Sequence, residues 1–163
     1  MAPQAQRERG VGGPSVAAQV VLFQLAGRSF AVELGQVEQI IDYREPTKTP
    51  RRPPHVEGVI EHRGRYLAVL NLRKRFGVAE PGPAHPAVLL ITGAGPDPRV
   101  GLVVDQVLRV LSLPSDGVLT PPPRVFGIRA EYIRGVANAA GRPLVWLDVS
   151  KLVTMGETIT LLA

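Results

Sequence analysis

The feature of this chain that most constrains its fold is an internal repeat. Two strand-turn-strand segments, each followed by a short helical segment, match at a constant offset of 77 positions without a gap. The matched positions are Gly58-Val59 with Gly135-Val136, Gly64-Arg65 with Gly141-Arg142, Leu67 with Leu144, Leu70-Asn71 with Leu147-Asp148, and Lys74 with Lys151. Two hydrophobic hairpins could share apolar positions by chance. A shared glycine turn, polar cap and lysine in one register is better explained by duplication of one unit.

The repeat continues upstream with smaller offsets, so the insertions lie in loops of the second unit, where they cost least. Gln36-Val37 and Ile40-Ile41 match Gln106-Val107 and Val110-Leu111 at offset 70, and Val21-Leu22 matches Val88-Leu89 at offset 67. A unit of about 60 residues buries only a marginal core by itself. We therefore expect an all-β domain with a few short helices, in which two small β-barrels pack side by side along a shared hydrophobic seam.

Glycine and proline positions predict the domain boundaries. Residues 1–18 are rich in Gly, Pro and charge without periodicity, which predicts a flexible N-terminal tail. The ordered domain is predicted over 19–154, with a Pro/Gly-rich linker separating a first subdomain at about 19–80 from a second at about 86–154. Residues 155–163 form a C-terminal extension, whose apolar run could add an edge strand.

Composition bounds the class of protein. The 163 residues are 45% hydrophobic, which is typical of one globular domain. No apolar run approaches the roughly 18–20 residues of a membrane helix, and the N-terminus lacks the apolar run of a secretory signal. We therefore expect a cytoplasmic protein. The chain has no cysteine, which excludes a disulfide scaffold, a thiolate nucleophile and a zinc site with sulfur ligands.

A net charge of +5 keeps one alternative open, a basic β-barrel protein that binds nucleic acid. Most of the basic residues are scattered among acids, as in Arg44-Glu45. The two clusters, Arg51-Arg52 and Arg73-Lys74-Arg75, lack the interleaved aromatic residues of a base-stacking platform. A solvated charged surface is the simpler interpretation.

The sequence shows little sign of a catalytic site. The chain contains no HExxH, no G-x-S-x-G and no P-loop, so we expect neither an enzyme nor a cofactor or metal site. The three histidines, His55, His62 and His85, fall in or beside loops and strand ends, where exposed side chains are the ordinary case. Asp105 follows an apolar strand, and a buried carboxylate is costly without a partner. It could mark an unrecognised hydrolase site, but a structural acid bonded to backbone or arginine is favoured.

Three segments resemble a known family. Gly58–Gly64 followed by Leu70–Arg73 is similar to the GV-x-N-L-R-G … V-x-D-L-R signature of CheW-like proteins. Val100–Val107 resembles that family's VG-x-x-VD-x-V strand, and Tyr132–Val136 with Leu144–Leu152 resembles its C-terminal hairpin and helix. The resemblance covers about residues 19–154. It implies two SH3-like five-stranded β-barrels, and a non-enzymatic adaptor that couples chemoreceptors to a CheA-type histidine kinase.

The resemblance also implies partners and site residues. The partners are the cytoplasmic tips of methyl-accepting chemoreceptors, accepted at the seam between the subdomains, and the regulatory domain of the kinase. Other CheW-like proteins are further candidates. By position in the motifs, Arg63, Gln39 and Ile40 are the implied receptor contacts, and Val37 and Gly58 are the implied kinase contacts.

This sequence departs from the family's motifs at two places. Glu61-His62 replaces Asn-Leu before Arg63, and Gln39 replaces the glutamate of V-x-E-I, with Glu38 one position earlier. An acidic contact could therefore be lost or moved. Arg63 has no arginine counterpart in the second unit, where Ala140 stands at offset 77. Divergence between the two units thus falls on the predicted binding residue.

Overall fold

The computed structural model describes residues 16–79, 81–92, 98–126, 128–139 and 141–151. The predicted N-terminal tail lies almost wholly outside these ranges, and the predicted C-terminal extension lies entirely outside them. The strands are β1 (Val16–Leu25), β2 (Arg28–Glu33), β3 (Val37–Asp42), β4 (Val56–His62), β5 (Arg65–Asn71), β6 (Ala87–Thr92), β7 (Pro98–Val104), β8 (Gln106–Pro114), β9 (Arg124–Val125), β10 (Ile128–Arg129), β11 (Ile133–Ala139) and β12 (Arg142–Leu147). The helical segments are α1 (Leu72–Arg75), three 3₁₀ turns at Leu34–Gln36, Ser115–Gly117 and Ala130–Tyr132, and residues 149–151, which begin a further helix. The helices within the described ranges are too short to cross a membrane.

Ten of the strands form two five-stranded sheets, which confirms the predicted fold class. Sheet A has the order β11-β12-β2-β1-β8, and sheet B has the order β4-β5-β7-β6-β3. Each sheet has one parallel pair, β12 with β2 and β5 with β7, and its other pairs are antiparallel. The two sheets thus share one strand plan, as duplication requires.

The repeat extends to irregular details of the sheets. Each hairpin has a β-bulge at the same place, with Glu57 as the extra residue on β4 and Arg134 on β11. A second pair of bulges makes Glu38 the extra residue on β3 and Leu108 on β8. Because bulges are built features of a strand and not accidents of pairing, four matching bulges support common descent of the two units.

Both sheets close in the same way, and both hairpins end in the same cap. Backbone bridges join Thr47 to Val59 in sheet B and Leu119 to Val136 in sheet A. The Asn71 side chain accepts a hydrogen bond from the Lys74 N–H at 3.2 Å. The Asp148 side chain accepts one from the Ser150 N–H at 3.0 Å, at the start of the next helical turn. These caps satisfy N–H groups that a helix start leaves without partners.

The strands of the two sheets are not divided at residues 80–86 of the chain. The β1–β2 hairpin belongs to the first unit in sequence, but it pairs with β8 and β12 of the second unit. The corresponding β6–β7 hairpin of the second unit pairs with β3 and β5 of the first. Sheet B is therefore continuous in sequence, whereas sheet A is assembled from both ends of the described chain. The two units have exchanged their first hairpins.

Three apolar clusters explain why the central strands read as unbroken hydrophobic runs. A central core lies between the sheets, and each sheet curls around a smaller core of its own. In β1, Val21 and Phe23 enter the central core while Val20 and Leu22 enter the core of sheet A. Because both faces of the strand are buried, no polar alternation is possible. The central core is the shared seam that the sequence predicted.

Candidate partner-binding surfaces

Arg63 lies at the tip of the β4–β5 hairpin. Its φ of 54° and the φ of 80° at Gly64 are both positive, as a two-residue type I′ turn requires. The turn directs the arginine side chain away from the sheet, and 72% of that side chain is exposed. Its Nη1 atom lies 3.7 Å from Oε1 of Glu38, the bulged residue of β3. The hairpin tip and β3 therefore meet at one place on the surface.

We group Glu38, Ile40, Arg63 and Tyr66 as the first candidate surface, named the Arg63 surface, because the contact between Arg63 and Glu38 joins the hairpin that carries Tyr66 to the strand that carries Ile40. Ile40 lies two residues from Glu38 on the outward face of β3 and is 47% exposed. Tyr66 is 69% exposed and faces Glu61 across the hairpin. Exposed apolar side chains around a charged group are the usual composition of a partner-binding patch. The sequence pointed to Arg63 and Ile40 and indicated Glu38 as a position to which the acidic contact could have moved, but it gave no sign of Tyr66.

Two of the predicted site residues do not lie on that surface. Gln39 is on the opposite, inward face of β3, and its buried Oε1 has no hydrogen-bond partner among the described residues. Val37 packs against the central core. The structure thus brings Arg63 and Ile40 together and separates both from Gln39 and Val37.

Gly58 is buried and is required by the backbone. Its backbone φ of 143° is one that residues with a Cβ atom rarely adopt. An added Cβ would overlap the carbonyl oxygen of Thr47 and lie 2.7 Å from its carbonyl carbon. Thr47 and Val59 exchange backbone hydrogen bonds of 2.8 and 2.9 Å at this point. Gly58 therefore maintains the closure of sheet B and presents no side chain to a partner.

The second candidate surface, named the β8 surface, consists of Leu108 and Val110. They are 40% and 52% exposed on a strand at the edge of sheet A. They correspond through the repeat to Glu38 and Ile40 of the Arg63 surface. The same position in the fold is therefore acidic in one unit and apolar in the other, so the two surfaces suit different partners.

A cavity of about 200 Å³ opens between the β1–β2 turn of sheet A and the end of α1. It is lined by Leu25, Arg28, Phe30, Phe76, Phe126 and Ile128, among other residues. The Arg28 guanidinium lies 4.1 Å from the centroid of the Phe126 ring, where a cation is attracted to an aromatic face. This volume is below the roughly 300–1,000 Å³ of small-molecule sites.

Asp105 has the structural role that the sequence favoured. Its Oδ2 accepts a hydrogen bond from the Ala26 N–H at 2.9 Å, and its Oδ1 lies 3.5 Å from Nε of Arg73. The carboxylate thus joins the β1–β2 turn of sheet A to helix α1, at the point where the chain passes between the sheets. Among the described residues, no group of three or more His, Asp or Glu side chains is placed to hold a metal ion.

His55 gives stability a pH dependence. Burial lowers the pKa of His55 below its ordinary value of 6.5, and the positive charge of Arg75 lowers it further. The unfolded chain therefore binds the proton more readily, so stability is fully present above pH 6.5 and declines as the pH falls towards the lowered value. Urea unfolding at pH 7.5 and pH 5.5 should show this decline, and His55→Gln should reduce it. An equal decline in the variant would contradict the assignment to His55.

Comparison with known proteins agrees with these features. The family model described as CheW-like domain matches residues 19–157. The chain is 30% identical over 143 residues to Chemotaxis protein CheW of Treponema pallidum, covering 85% of this chain and 84% of that protein. It is 35% identical over 111 residues to Protein FrzA of Myxococcus xanthus, covering 66% and 67%. The comparisons give no support to the nucleic-acid-binding alternative.

A solved structure shows the same fold. The scaffolding protein TtCheW of Thermoanaerobacter tengcongensis superposes with a TM-score of 0.76, covering 91% of this chain and 93% of that one at 23% identity. The family match spans nearly all of the described strands, and the family's signature hairpin carries the Arg63 surface. The chain belongs to the CheW-like family.

Proposed function

We propose that this protein is a non-catalytic, cytoplasmic adaptor that couples chemoreceptors to a CheA-type histidine kinase. Its membership of the CheW-like family supports this role, as does the description of a structural neighbour as a scaffolding protein. The observation that carries the proposal is the pair of exposed surfaces, one on each sheet, fastened to a common core. An adaptor has to hold two partners at once, and this arrangement offers each of them a separate face.

The Arg63 surface is the proposed receptor contact. Ile40 and Tyr66 supply apolar area, and the Arg63 guanidinium can form a charge-assisted hydrogen bond with a carboxylate on the receptor's helical tip. Glu38 holds the guanidinium in the free protein and would be displaced or shared on binding. We therefore propose this outer face as the place where the receptor docks.

The β8 surface is the proposed contact for the kinase's regulatory domain. Leu108 and Val110 form an apolar strip on an edge strand, which suits docking of another β-rich domain. Val37 and Gly58, the kinase contacts implied by sequence, are half-buried and buried. We propose that they affect kinase binding indirectly, by holding sheet B in its closed form.

Arg63→Glu tests the receptor contact. The variant places a negative charge opposite the receptor carboxylate that Arg63 is proposed to contact. We therefore expect the dissociation constant for a receptor-tip fragment to rise tenfold or more, about 1.4 kcal/mol or above. Folding should be unaffected because an exposed ion pair contributes less than about 1 kcal/mol. Isothermal titration calorimetry measures the affinity, and Arg142→Glu makes the same charge change on the corresponding hairpin as a control. If Arg63→Glu unfolds the protein, Arg63 is structural.

A matched pair of substitutions tests the assignment of the two surfaces. Ile40→Asp and Val110→Asp place the same charge at corresponding positions of the two units. We expect Ile40→Asp to weaken receptor binding with kinase binding kept, and Val110→Asp to have the reverse effect. Pull-down and calorimetry with each partner separate the outcomes. If the wild-type protein binds neither partner at tens of micromolar, the adaptor role is wrong. If Ile40→Asp weakens kinase binding and Val110→Asp weakens receptor binding, the adaptor role stands and only the assignment of the two surfaces is wrong.

A further inference from the structure

The exchanged hairpin leaves sheet A with a slot that one continuous piece of chain fills. The slot lies between β8 and β12, and the β1–β2 hairpin occupies it. β1 pairs antiparallel with β8 from Val16 to Gln24, and β2 pairs parallel with β12 from Ser29 to Ala31. Both walls of the slot belong to the second unit, whereas the hairpin belongs to the first.

The slot is strongly apolar on both sides. The hairpin contributes five buried side chains to the central core, Val21, Phe23, Leu25, Phe30 and Val32, and three to the core of sheet A, Val20, Leu22 and Ala31. An unfilled slot would expose the partners of all these side chains to water, and exposed apolar surface of this size is unfavourable. A hairpin of this sequence therefore fills the slot, whichever copy of the chain supplies it.

The short connection between β2 and β3 determines whether the slot is filled by the hairpin of the same chain or by that of another copy. The 3₁₀ turn Leu34–Gln36 carries the chain from β2 in sheet A to β3 in sheet B, and none of its residues is buried. Its contacts are slight: Leu34 packs partly against the central core, and the Gln36 carbonyl oxygen accepts a hydrogen bond of 3.3 Å from the Thr92 hydroxyl. A hinge that can open at small cost lets the hairpin swing out to another molecule.

We propose that the slot between β8 and β12 is a binding site for the β1–β2 hairpin of a second copy of this chain, so that two copies form a hairpin-exchanged dimer. Every strand contact of sheet A is the same in monomer and dimer, and only the hinge conformation differs. Protein concentration during folding therefore sets the proportion of dimer. The dimer presents each partner-binding surface twice, which raises its valency in an array.

Because the chain has no cysteine, introduced cysteines report the exchange directly. Gln19 and Ser112 lie opposite each other on β1 and β8, and both are exposed. Two single variants, Gln19→Cys and a tagged Ser112→Cys, are unfolded together, refolded as a mixture and oxidised. We expect a disulfide between the two different chains, seen by mass on a non-reducing gel, in an amount that rises with protein concentration during refolding.

The control pairs Gln19→Cys with a tagged Asp42→Cys, which carries an exposed cysteine on β3 of sheet B. Random collisions would join either pair, whereas exchange joins only the first. A cross-link yield no higher for the first pair than for the control, at every concentration up to the solubility limit, overturns the proposal.

Shortening the hinge gives an independent test. Deleting Gly35 and Gln36 removes the 3₁₀ turn, in which the Leu34 carbonyl oxygen accepts a hydrogen bond from the Val37 N–H, and leaves one residue between β2 and β3. A connection too short to form that turn disfavours the return of the hairpin to its own slot, so we expect this variant to be mainly dimeric by light scattering. Deleting Gly82 and Pro83, in a loop that stays within sheet B, should leave a monomer. A folded monomer of the hinge variant overturns the proposal, and if that variant fails to fold, the cross-linking result decides.

Discussion

Replacing Gly58 by alanine is expected to lower the free energy of unfolding by about 3 kcal/mol or more. The new methyl group would overlap the Thr47 carbonyl, which is backbone and cannot move aside without breaking the Thr47–Val59 bridge. The φ of 143° adds conformational strain for any residue with a Cβ. Guanidinium unfolding followed by the fluorescence of Trp146, the one tryptophan of the chain, measures the loss.

Gly35→Ala is the matched control for this experiment. An added Cβ at Gly35 has no heavy atom within 4 Å among the described residues, and its φ lies outside the left-handed region. Its stability should stay close to that of the wild type. If Gly58→Ala instead kept full stability and lost only kinase binding, Gly58 would be a direct contact, as the family resemblance implied.

Dividing the chain at the linker is expected to abolish folding of both pieces. A fragment of residues 1–80 contains β1 and β2 but neither wall of their slot, and a fragment of residues 86–163 contains β6 and β7 without β3 and β5. Each piece would therefore expose apolar faces that the whole chain buries. We expect each fragment alone to give the poorly dispersed amide spectrum of an unfolded chain, and an equimolar mixture to regain native dispersion. A native-like spectrum for either fragment alone would show that the half-chains fold independently.

Local features of the fold could be predicted from sequence because they depend on neighbours in the chain. Gly64 and Gly141 indicate hairpin turns, Asn71 and Asp148 indicate helix caps, and the common offset indicates duplication. The exchange of hairpins depends instead on which strands pair over long distances. The run from Val20 to Leu25 is apolar at most positions because both of its faces are buried, so it carries no sign of its partners.

The site was predicted in part for the same reason. Arg63 follows from the motif and the turn, and the structural role of Asp105 follows from the cost of a bare buried carboxylate. Which residue of β3 faces outward depends on the bulge at Glu38, and a bulge leaves no mark in an alternating pattern. Similarly, the sequence gives no indication of the φ of Gly58. The family resemblance therefore implied a kinase contact at a residue whose backbone conformation requires glycine.

The shared core has a mechanical consequence for an adaptor. The chain crosses between the sheets at Leu34–Gln36 and again at Asp105, and between these two crossings the sheets are held face to face by a continuous apolar layer. Neither sheet can turn against the other without opening that layer. When a partner tilts or shifts one surface, the two sheets therefore move together as a rigid body, and the other surface moves by the same amount.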